Sequence, residues 1–519
     1  MAHTPIFKNF ARVLRLTQVA NHRKGMRVDE LIDRRRSRHA ITRRQFVKMS
    51  AVVGAGGLLP ACDPFNSTSE QPRMVVVGAG LAGLNATYQL KKAGYRATLY
   101  EASNRVGGRM FTTDEFGPST WVNLGAEFIN SDHEDMFSLA EEFNLTLDDR
   151  EALIPRLSDY FFFDGQLISE ETLIQELSPI VARLNTDAER LDEDWESASV
   201  ELDQLSIAEY LDGLGVSGWQ RKLIDQLMIT EFGLEMGEMS TLNLLWQIPI
   251  VGEGTVEILG HSDERFKIRG GTQQLVNALA KEVENQIQTG QPLEAIRSRG
   301  DGFTLTFQGS DVEADFVILA LPFSILRQLE IGVVLPNGFL RFINEVGYGH
   351  NVKIMAGFKR RVWQEQGLNG EGYTEDSFQT SWDATELQSS EVGVMTYFPA
   401  GEVGLLSQNG TPSEQAERFM QETEKIMPGI SEEWNGQAKR IHWPTEEFIK
   451  GSYACLKPSQ YTEFIQDYVY IEDEQEGQDV AVGNLIFAGE HVSDEYQGFM
   501  NGAAQTGRLA AEHLLRKLG

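Results

Sequence analysis

Three glycines near the start of the main apolar part of the chain have a spacing that binds phosphates. Gly78, Gly80 and Gly83 form a Gly-x-Gly-x-x-Gly pattern between an apolar run at 74–77 and a helical run that ends near residue 93. In such a unit the first glycine permits a tight turn, the second lets the backbone approach a pyrophosphate, and the third lets the helix pack on the strand. The free N–H groups at the helix start favour phosphate oxygens. The pattern, including the intervening Ala79, predicts a dinucleotide-binding loop.

An acidic and a basic side chain follow at suitable distances. Glu101 ends a second apolar run at 96–100 and lies 23 residues after Gly78, where a carboxylate can accept hydrogen bonds from a ribose. The segment 105–109 then contains two glycines and ends at Arg109, whose planar guanidinium can bind a phosphate through two N–H groups. Both side chains are therefore predicted to contact the same nucleotide.

The end of the chain carries a second motif of this kind. Residues 484–490 form an apolar run that ends in Gly-Glu490, and Gly498, Phe499 and Met500 begin a helical run that extends to residue 517. A strand that ends in Gly-Glu can hold the ribityl chain of a flavin. The positive end of the following helix can stabilise negative charge on the flavin ring.

These motifs need a sheet and helices to position them. We predict an α/β fold with a Rossmann-like nucleotide-binding domain and a mixed α+β domain inserted in pieces, the first piece mostly helical. The supporting patterns are strands at 293–298, 303–307 and 315–321 and helices at 136–143, 173–191 and 274–284.

Composition narrows the class of function. The 519 residues suffice for two domains, and the formal net charge is −30. Residues 1–61 carry a net +10, so the remainder carries −40. Such acidity disfavours nucleic-acid binding and favours cationic small molecules, although it can also serve only solubility. Two cysteines, Cys62 and Cys455, and histidines without ligand spacing predict neither a disulfide framework nor a metal site.

Residues 1–61 have the features of a targeting segment. Thr42-Arg43-Arg44-Gln45-Phe46-Val47-Lys48 resembles the twin-arginine export motif of bacteria, and the apolar stretch 49–60 is shorter than the ~20 residues that span a bilayer. Residues 59–62 resemble a lipobox, which predicts a lipid anchor at Cys62 and a polar linker over 62–71. We expect export by the twin-arginine route to a periplasmic or membrane-tethered location. A basic disordered arm is the alternative.

Together, the motifs at both ends and the segment 347–358 resemble the flavin-containing amine oxidase family, which includes monoamine, polyamine and L-amino-acid oxidases. The resemblance extends over residues 72–517 and implies non-covalent FAD, because Ser452 stands where covalent members carry cysteine. It implies an FAD-binding domain at 72–131, 265–324 and 441–519, and a substrate domain at 132–264 and 325–440. The implied FAD-binding residues are Gly78, Ala79, Gly80, Gly83, Glu101, Arg109, Gly125, Ala126, Glu127, Leu293, Trp443, Glu490, Gly498 and Met500.

The resemblance also implies three catalytic residues. Lys353 matches a lysine that holds a water against flavin N5, although beside Lys359, Arg360 and Arg361 it would otherwise be expected at the surface. Tyr453 and Phe499 match two aromatic rings that enclose the substrate amine. The implied reaction is hydride transfer from the amine to flavin N5, imine hydrolysis, and reoxidation by O2 to H2O2.

Three alternatives stay open on the same sequence. An L-amino-acid oxidase or amino-acid monooxygenase would need an arginine for the substrate carboxylate, for which Arg156, Arg327 and Arg341 are candidates, because Phe128 occupies the family's usual neighbourhood. An O2-independent dehydrogenase or desaturase would use another acceptor, and a non-enzymatic flavin binder would lack the catalytic residues. Polyamines are slightly favoured as substrates by the acidity, with Glu127, Asp132 and Glu134 as candidates to meet a cationic tail.

Overall fold

The computed structural model describes residues 72–150, 157–246, 249–251, 256–258, 262–472 and 477–519. The predicted signal segment, the linker, Cys62 and Arg156 lie outside these residues. Among the helices of the described ranges, none combines the length and the apolar character needed to cross a bilayer.

A mostly parallel sheet forms the centre of the nucleotide-binding region. In the described part of the chain it has six strands in the order β12-β2-β1-β16-β26-β25, and only β25 runs antiparallel to its neighbour. The four residues of β1 are all buried, as expected for a strand covered by helices on both faces. The strands are β1 (Met74–Val77), β2 (Ala97–Tyr100), β12 (Ile287–Gln288), β16 (Phe316–Leu319), β25 (Ala481–Val482) and β26 (Leu485–Phe487).

A second, largely antiparallel sheet lies in the other half of the molecule. Its seven described strands have the order β23-β19-β22-β21-β20-β7-β8, and β19 is buried along its whole length. The strands are β7 (Ser158–Phe163), β8 (Gln166–Leu167), β19 (Val352–Phe358), β20 (Leu368–Thr374), β21 (Thr380–Asp383), β22 (Gly393–Tyr397) and β23 (Trp434–His442).

Several smaller sheets accompany the two large ones. A four-stranded sheet contains β13 (Leu293–Arg299), β14 (Gly302–Phe307), β15 (Ser310–Ala314) and β17 (Glu330–Gly332), and a three-stranded sheet contains β5 (Phe128–Ile129), β6 (Leu147–Asp149) and β11 (Phe266–Ile268). Three pairs complete the described strands: β3 (Thr112–Thr113) with β4 (Val122–Asn123), β9 (Pro249–Val251) with β10 (Val256–Ile258), and β18 (Gly347–Tyr348) with β24 (Ala454–Cys455).

The helices cover both regions, and the first packs against the last. A Cβ on Gly507 would lie 2.3 Å from the carbonyl oxygen of Ala82, so the two helices approach each other closely only because that position is glycine. The described α-helices are α1 (Leu81–Lys92), α2 (Glu134–Glu142), α3 (Glu170–Glu193), α4 (Trp195–Asp203), α5 (Ile207–Gly213), α6 (Gly218–Phe232), α7 (Thr241–Leu245), α8 (Gln273–Glu282), α9 (Phe323–Leu326), α10 (Asn337–Glu345), α11 (Val362–Glu365), α12 (Gly401–Leu406), α13 (Pro412–Thr423), α14 (Gln466–Tyr468) and α15 (Met500–Leu518).

The predicted elements are present with shifted ends. The strand predicted over 315–321 ends at Leu319, two residues earlier, and Pro322 caps α9. The helix predicted from residue 498 begins at Met500, because Phe499 is in an extended conformation at its N-cap. The α/β architecture is confirmed, whereas the exact domain boundaries stay a prediction. The segments 72–131, 265–324 and 441–519 each contribute two strands to the six-stranded sheet.

Candidate active site

The glycine loop between β1 and α1 has the predicted geometry. Gly78 has a φ of +99°, and a Cβ on Gly83 would lie 1.9 Å from the carbonyl oxygen of Gly78. A Cβ on Gly80 would meet nothing within 4 Å, because this position faces open space. Helix α1 has no side-chain cap and no acidic residue in its first turn. Its N–H groups are therefore available to an anion, and the loop fits a pyrophosphate.

The carboxylate of Glu101 follows β2 and holds the glycine loop in place through a hydrogen bond. It accepts hydrogen bonds from the backbone N–H of Ala79 at 2.7 Å and from the backbone N–H and Oγ of Ser103, both at 2.8 Å. Ala79 is itself buried behind the loop. Glu101 thus follows β2 and lines the cavity, and its contact with a ribose stays a prediction.

Arg109 joins the opening of the chain to its end. Its Nη1 donates to the Glu490 carboxylate at 2.8 Å and to the Ser452 carbonyl at 2.7 Å, and Glu490 also accepts from the Gly498 N–H at 2.9 Å. Burial raises the pKa of Glu490, but Arg109 and these hydrogen bonds outweigh it, so the pKa lies below its usual range. The expected meeting of the two ends is confirmed. Contact between Arg109 and a phosphate stays a prediction, because the guanidinium is engaged with protein groups.

One continuous cavity of about 620 Å³ connects these features. It extends from Glu101 and Leu293, past the glycine loop, to Lys353 and the aromatic residues. Of the residues predicted to bind FAD or to act in catalysis, those that line it are Gly78, Gly80, Glu101, Arg109, Gly125, Ala126, Glu127, Leu293, Lys353, Trp443, Tyr453, Glu490, Gly498, Phe499 and Met500. Ala79 and Gly83 do not line the cavity and instead support the loop from behind.

Tyr453 and Phe499 both line the cavity, as Lys353 does. The Tyr453 hydroxyl donates to the carbonyl of Glu231 at 2.7 Å, which fixes the ring orientation, and burial raises the pKa of this phenol. Phe499 stands at the N-cap of α15, and its ring packs edge-on against His133 with centroids 4.9 Å apart. Each ring is therefore held in a fixed orientation, as the side of a binding pocket requires.

Three further aromatic residues line the cavity near Lys353, and the sequence placed only Phe128 of these near the site. Trp382 packs against Phe398 with centroids 5.3 Å apart and against Phe128 at 6.2 Å. Trp382 and Phe398 belong to the end of β21 and the loop after β22, so strand alternation alone cannot distinguish them from core residues. The end that would receive an amine is thus aromatic on several sides.

Lys353 is buried and lines the cavity. The expectation that, without the resemblance, this lysine would lie at the surface is therefore wrong. Its side chain is 7% exposed, and Nζ donates to the carbonyls of Asn123 at 3.0 Å and Gly125 at 2.8 Å and to Glu127 Oε2 at 2.8 Å. Burial lowers the pKa of Lys353, and the Glu127 carboxylate partly opposes that shift. The role of holding a water stays a prediction, since these acceptors already engage the amine.

Glu127 is not available to a cationic substrate tail, which corrects that expectation. Its two carboxylate oxygens bind two lysines, Lys353 and Lys267, and the Trp382 indole N–H lies 3.3 Å from Oε2. Burial raises the pKa of Glu127, but the two lysines outweigh it and lower the pKa to about 2. The other two acidic candidates, Asp132 and Glu134, do not line the cavity.

Two candidate carboxylate-binding arginines lie elsewhere. Arg327 donates to the carbonyls of Phe323 and Val346, and Arg341 is exposed and paired with Glu345 and Glu463. Neither lines the cavity. Among the described lining residues, the only arginines are Arg105 and Arg109, and Arg109 is paired with Glu490.

The cysteine and the histidines near the site have structural surroundings. Cys455 is buried and does not line the cavity, whereas Ser452 does and donates to Asn351 Oδ1 at 2.6 Å. The ring of His491 lies 4.2 Å from that of Phe323, and burial lowers its pKa to about 4. In the ranges that the structure describes, no group of three potential metal ligands is found.

Comparisons with known proteins agree with this geometry. Residues 81–515 match the model of the family described as flavin containing amine oxidoreductase. An L-amino acid dehydrogenase of Synechocystis sp. is 25% identical over 89% of this chain and 98% of its own. A flavin-containing amine oxidase of Oncorhynchus mykiss is 22% identical over 86% of each chain. The solved structure of cyclohexylamine oxidase from Brevibacterium oxydans superposes with a TM-score of 0.74 at 20% identity, over 86% of this chain and 100% of that one.

Proposed function

Because the chain belongs to the flavin-containing amine oxidoreductase family, we propose that it oxidises the C–N bond of an amine whose body is largely apolar. The protein is an FAD-dependent oxidoreductase. The observation that carries the proposal is the single cavity in which a dinucleotide loop continues into a pocket lined by aromatic rings beside a buried lysine. When bound, FAD accepts the hydride equivalent that leaves the substrate.

The residues of the chain would bind FAD along the whole cavity. The glycine loop and the start of α1 offer N–H groups to the pyrophosphate, and Glu101 offers a carboxylate to the ribose. Glu490, Gly498, Trp443 and the backbone of Gly125 line the same cavity and would meet the flavin. We propose that the cofactor is held without a covalent bond, because Ser452 occupies the position of the cysteine found in covalent relatives.

The aromatic end would orient the amine and exclude water. Tyr453 and Phe499 would enclose an uncharged nitrogen, while Phe128, Trp382 and Phe398 would contact the rest of the substrate. Because Glu127 is neutralised by two lysines, it offers no free charge to a second ammonium group. The aromatic lining therefore supports an amine with an apolar body, and Glu127 gives no support to the polyamine that the acidity slightly favours.

An amino acid is the second candidate, since the relative from Synechocystis sp. is named an L-amino acid dehydrogenase. The lysines in the described lining, however, are Lys353, which is engaged with Glu127, and Lys450, which donates to Gln328. A substrate carboxylate would therefore meet no available positive charge among these residues. We favour the amine on this ground.

The test is anaerobic mixing of the FAD-loaded protein with a panel of aryl and alkyl monoamines, diamines, polyamines and L-amino acids. We expect the absorbance of the bound flavin to bleach with apolar monoamines, more slowly with polyamines, and not with amino acids. Tyr453→Ala should slow the bleaching at least about tenfold, because the amine loses one wall of the pocket. Bleaching by amino acids alone would establish the second candidate instead.

We further propose that O2 is the electron acceptor, as the family resemblance implies. Peroxide release on admission of air, compared with reduction of an artificial quinone acceptor under argon, tests this. Reoxidation by the quinone alone would assign the protein to the dehydrogenases.

Export to the periplasm, with a lipid at Cys62, is a proposal that rests on the motifs at residues 42–62. Replacing both Arg43 and Arg44 with lysine should leave the unprocessed protein in the cytoplasm of an expressing bacterium. Unchanged export of that variant would exclude the twin-arginine route.

A further inference from the structure

Lys267 is a buried cation that the cavity does not contact. Its side chain is 1% exposed and belongs to β11, between β5 and β6. Nζ lies 2.8 Å from Glu127 Oε1, 3.3 Å from the Ala384 carbonyl and 3.6 Å from Glu386. An ammonium at this depth is costly unless it is paired, so its position needs an explanation.

The Glu127 carboxylate connects this cation to the site. Oε1 binds Lys267 and Oε2 binds Lys353, each at 2.8 Å. Since Lys353 Nζ also has the carbonyls of Asn123 and Gly125 within 3.0 Å, it faces three acceptors and needs three N–H groups. The arrangement is therefore that of two ammonium groups and one carboxylate, with a net charge of +1.

Other charges surround this cluster. Glu264 acts on Lys353 from the cavity side, whereas Glu386 and Arg150 act on Lys267 from behind. Arg150 is itself paired with Glu371 and Glu386. These outer groups are three carboxylates and one guanidinium, with a net charge of −2. The two lysines of the central cluster therefore offset negative charge beside the cavity, and Lys267 supplies half of that positive charge.

We propose that Lys267 is a positioning residue for the amine oxidation: through Glu127 it holds Lys353 in place and supplies the positive charge that this cluster presents to the reactive end of the cavity. The catalytic part of this inference rests on the proposed function. Without Lys267, Lys353 and Glu127 would form a neutral pair. Positive charge at this place favours the negative charge that develops when a flavin is reduced.

Lys267 and Glu127 should shift the pKa of Lys353 in opposite directions. A neighbouring cation disfavours the protonated lysine, so removing the charge of Lys267 raises the pKa of Lys353. Removing the charge of Glu127 lowers that pKa, because the ammonium loses its counter-ion. If Lys267 and Glu127 had only a structural role, removing their charges would not move the pKa of Lys353 in opposite directions.

The experiment titrates the FAD-loaded protein with sulfite, an anion whose addition to a bound flavin is seen by absorbance and is favoured by nearby positive charge. We would compare the wild type with Lys267→Gln, which keeps a hydrogen-bond donor, Lys267→Arg, which keeps the charge, and Glu127→Gln. The matched control is Arg361→Gln, which removes a half-buried cation from the buried Asp383 outside the cavity. Each protein is measured across the alkaline range and is also titrated with FAD as apoprotein.

We expect Lys267→Gln to bind sulfite about tenfold more weakly at neutral pH, with Lys267→Arg and the control within about twofold of the wild type. The alkaline midpoint of sulfite binding should move to higher pH in Lys267→Gln and to lower pH in Glu127→Gln. FAD affinity should change little in Lys267→Gln, because Lys267 does not line the cavity.

Unchanged sulfite affinity in Lys267→Gln, or midpoints that move in the same direction in both variants, would overturn the proposal. If Lys267→Gln fails to retain FAD, Lys267→Arg decides the question, since a tenfold loss there would show that the charge is not what matters. The sulfite readout uses no amine. Absence of amine oxidation in the wild type would therefore defeat the proposed function while leaving the charge effect measurable.

Discussion

At the scale of single residues, the chemistry of this protein depends on how a few charged side chains are paired. Lys353, Glu127 and Lys267 share one buried cluster, and Arg109 with Glu490 forms another. The sequence indicated Lys353, Glu127, Arg109 and Glu490 because each belongs to a recognisable motif. It gave no sign of Lys267, whose surroundings come from strands and loops far apart in the chain.

The Lys353→Met variant tests the residue that lies between the cofactor loop and the aromatic pocket. We expect amine-dependent bleaching of the flavin, or its reoxidation, to slow by about tenfold or more, because a charge beside the developing negative charge is lost. FAD should stay bound, since the other cavity contacts are unchanged. Stopped-flow absorbance measures both rates. Rates equal to those of the wild type would remove Lys353 from the catalytic residues.

At the scale of elements, the site is assembled where strands end and helices begin. The loop after β1, the acid after β2 and the Gly-Glu pair after β26 all lie at the carboxyl edge of the same parallel sheet. This is where doubly wound sheets bind ligands. Local sequence predicted these elements well because their apolar periodicity is strong. Their ends shifted by a few residues because capping, as at Pro322 and Phe499, depends on tertiary contacts.

Two glycines of the loop allow a matched pair of substitutions. Gly83→Ala should destabilise the apoprotein and reduce FAD binding, because the new Cβ would lie 1.9 Å from the Gly78 carbonyl oxygen. Gly80→Ala should leave apoprotein stability unchanged, since nothing lies within 4 Å, but weaken FAD binding at least about tenfold. Urea unfolding of the apoproteins and fluorescence titration with FAD separate the two effects. Equal stability of both variants would contradict this division of roles.

At the scale of the whole molecule, the ion pair between Arg109 and Glu490 connects segments 381 residues apart in sequence. The Glu490 side chain is 4% exposed and that of Arg109 is 25% exposed, so the carboxylate of the pair is shielded from solvent. The pair joins the segment after β2 to the segment after β26. The strength of this contact should therefore influence both global stability and cofactor retention.

The Glu490→Gln variant should lose about 3 kcal/mol of apoprotein stability at neutral pH, because Arg109 keeps its charge without a counter-ion. The pKa of Glu490 is lowered in the folded state, so its contribution is complete above the unfolded pKa of about 4.3 and is lost as the pH falls. The difference between variant and wild type should thus shrink on acidification.

Urea unfolding of both apoproteins at neutral and acidic pH measures this difference. Glu313→Gln, which removes a solvent-exposed partner of Arg73, is the matched control and should behave like the wild type at both pH values. A Glu490→Gln difference that stays constant with pH would contradict the assignment.

The sequence by itself determined the nucleotide loop, the α/β class, the family resemblance and a set of site residues, most of which line the cavity. Glycine spacing and apolar periodicity are local constraints, so they are visible without a structure. Only the tertiary structure decided that Glu127 serves two lysines, that Arg327 and Arg341 lie away from the cavity, and that Phe128, Trp382 and Phe398 share the aromatic end. Pairing of buried charges and convergence of rings depend on how distant strands pack, which residue type and spacing along the chain do not specify.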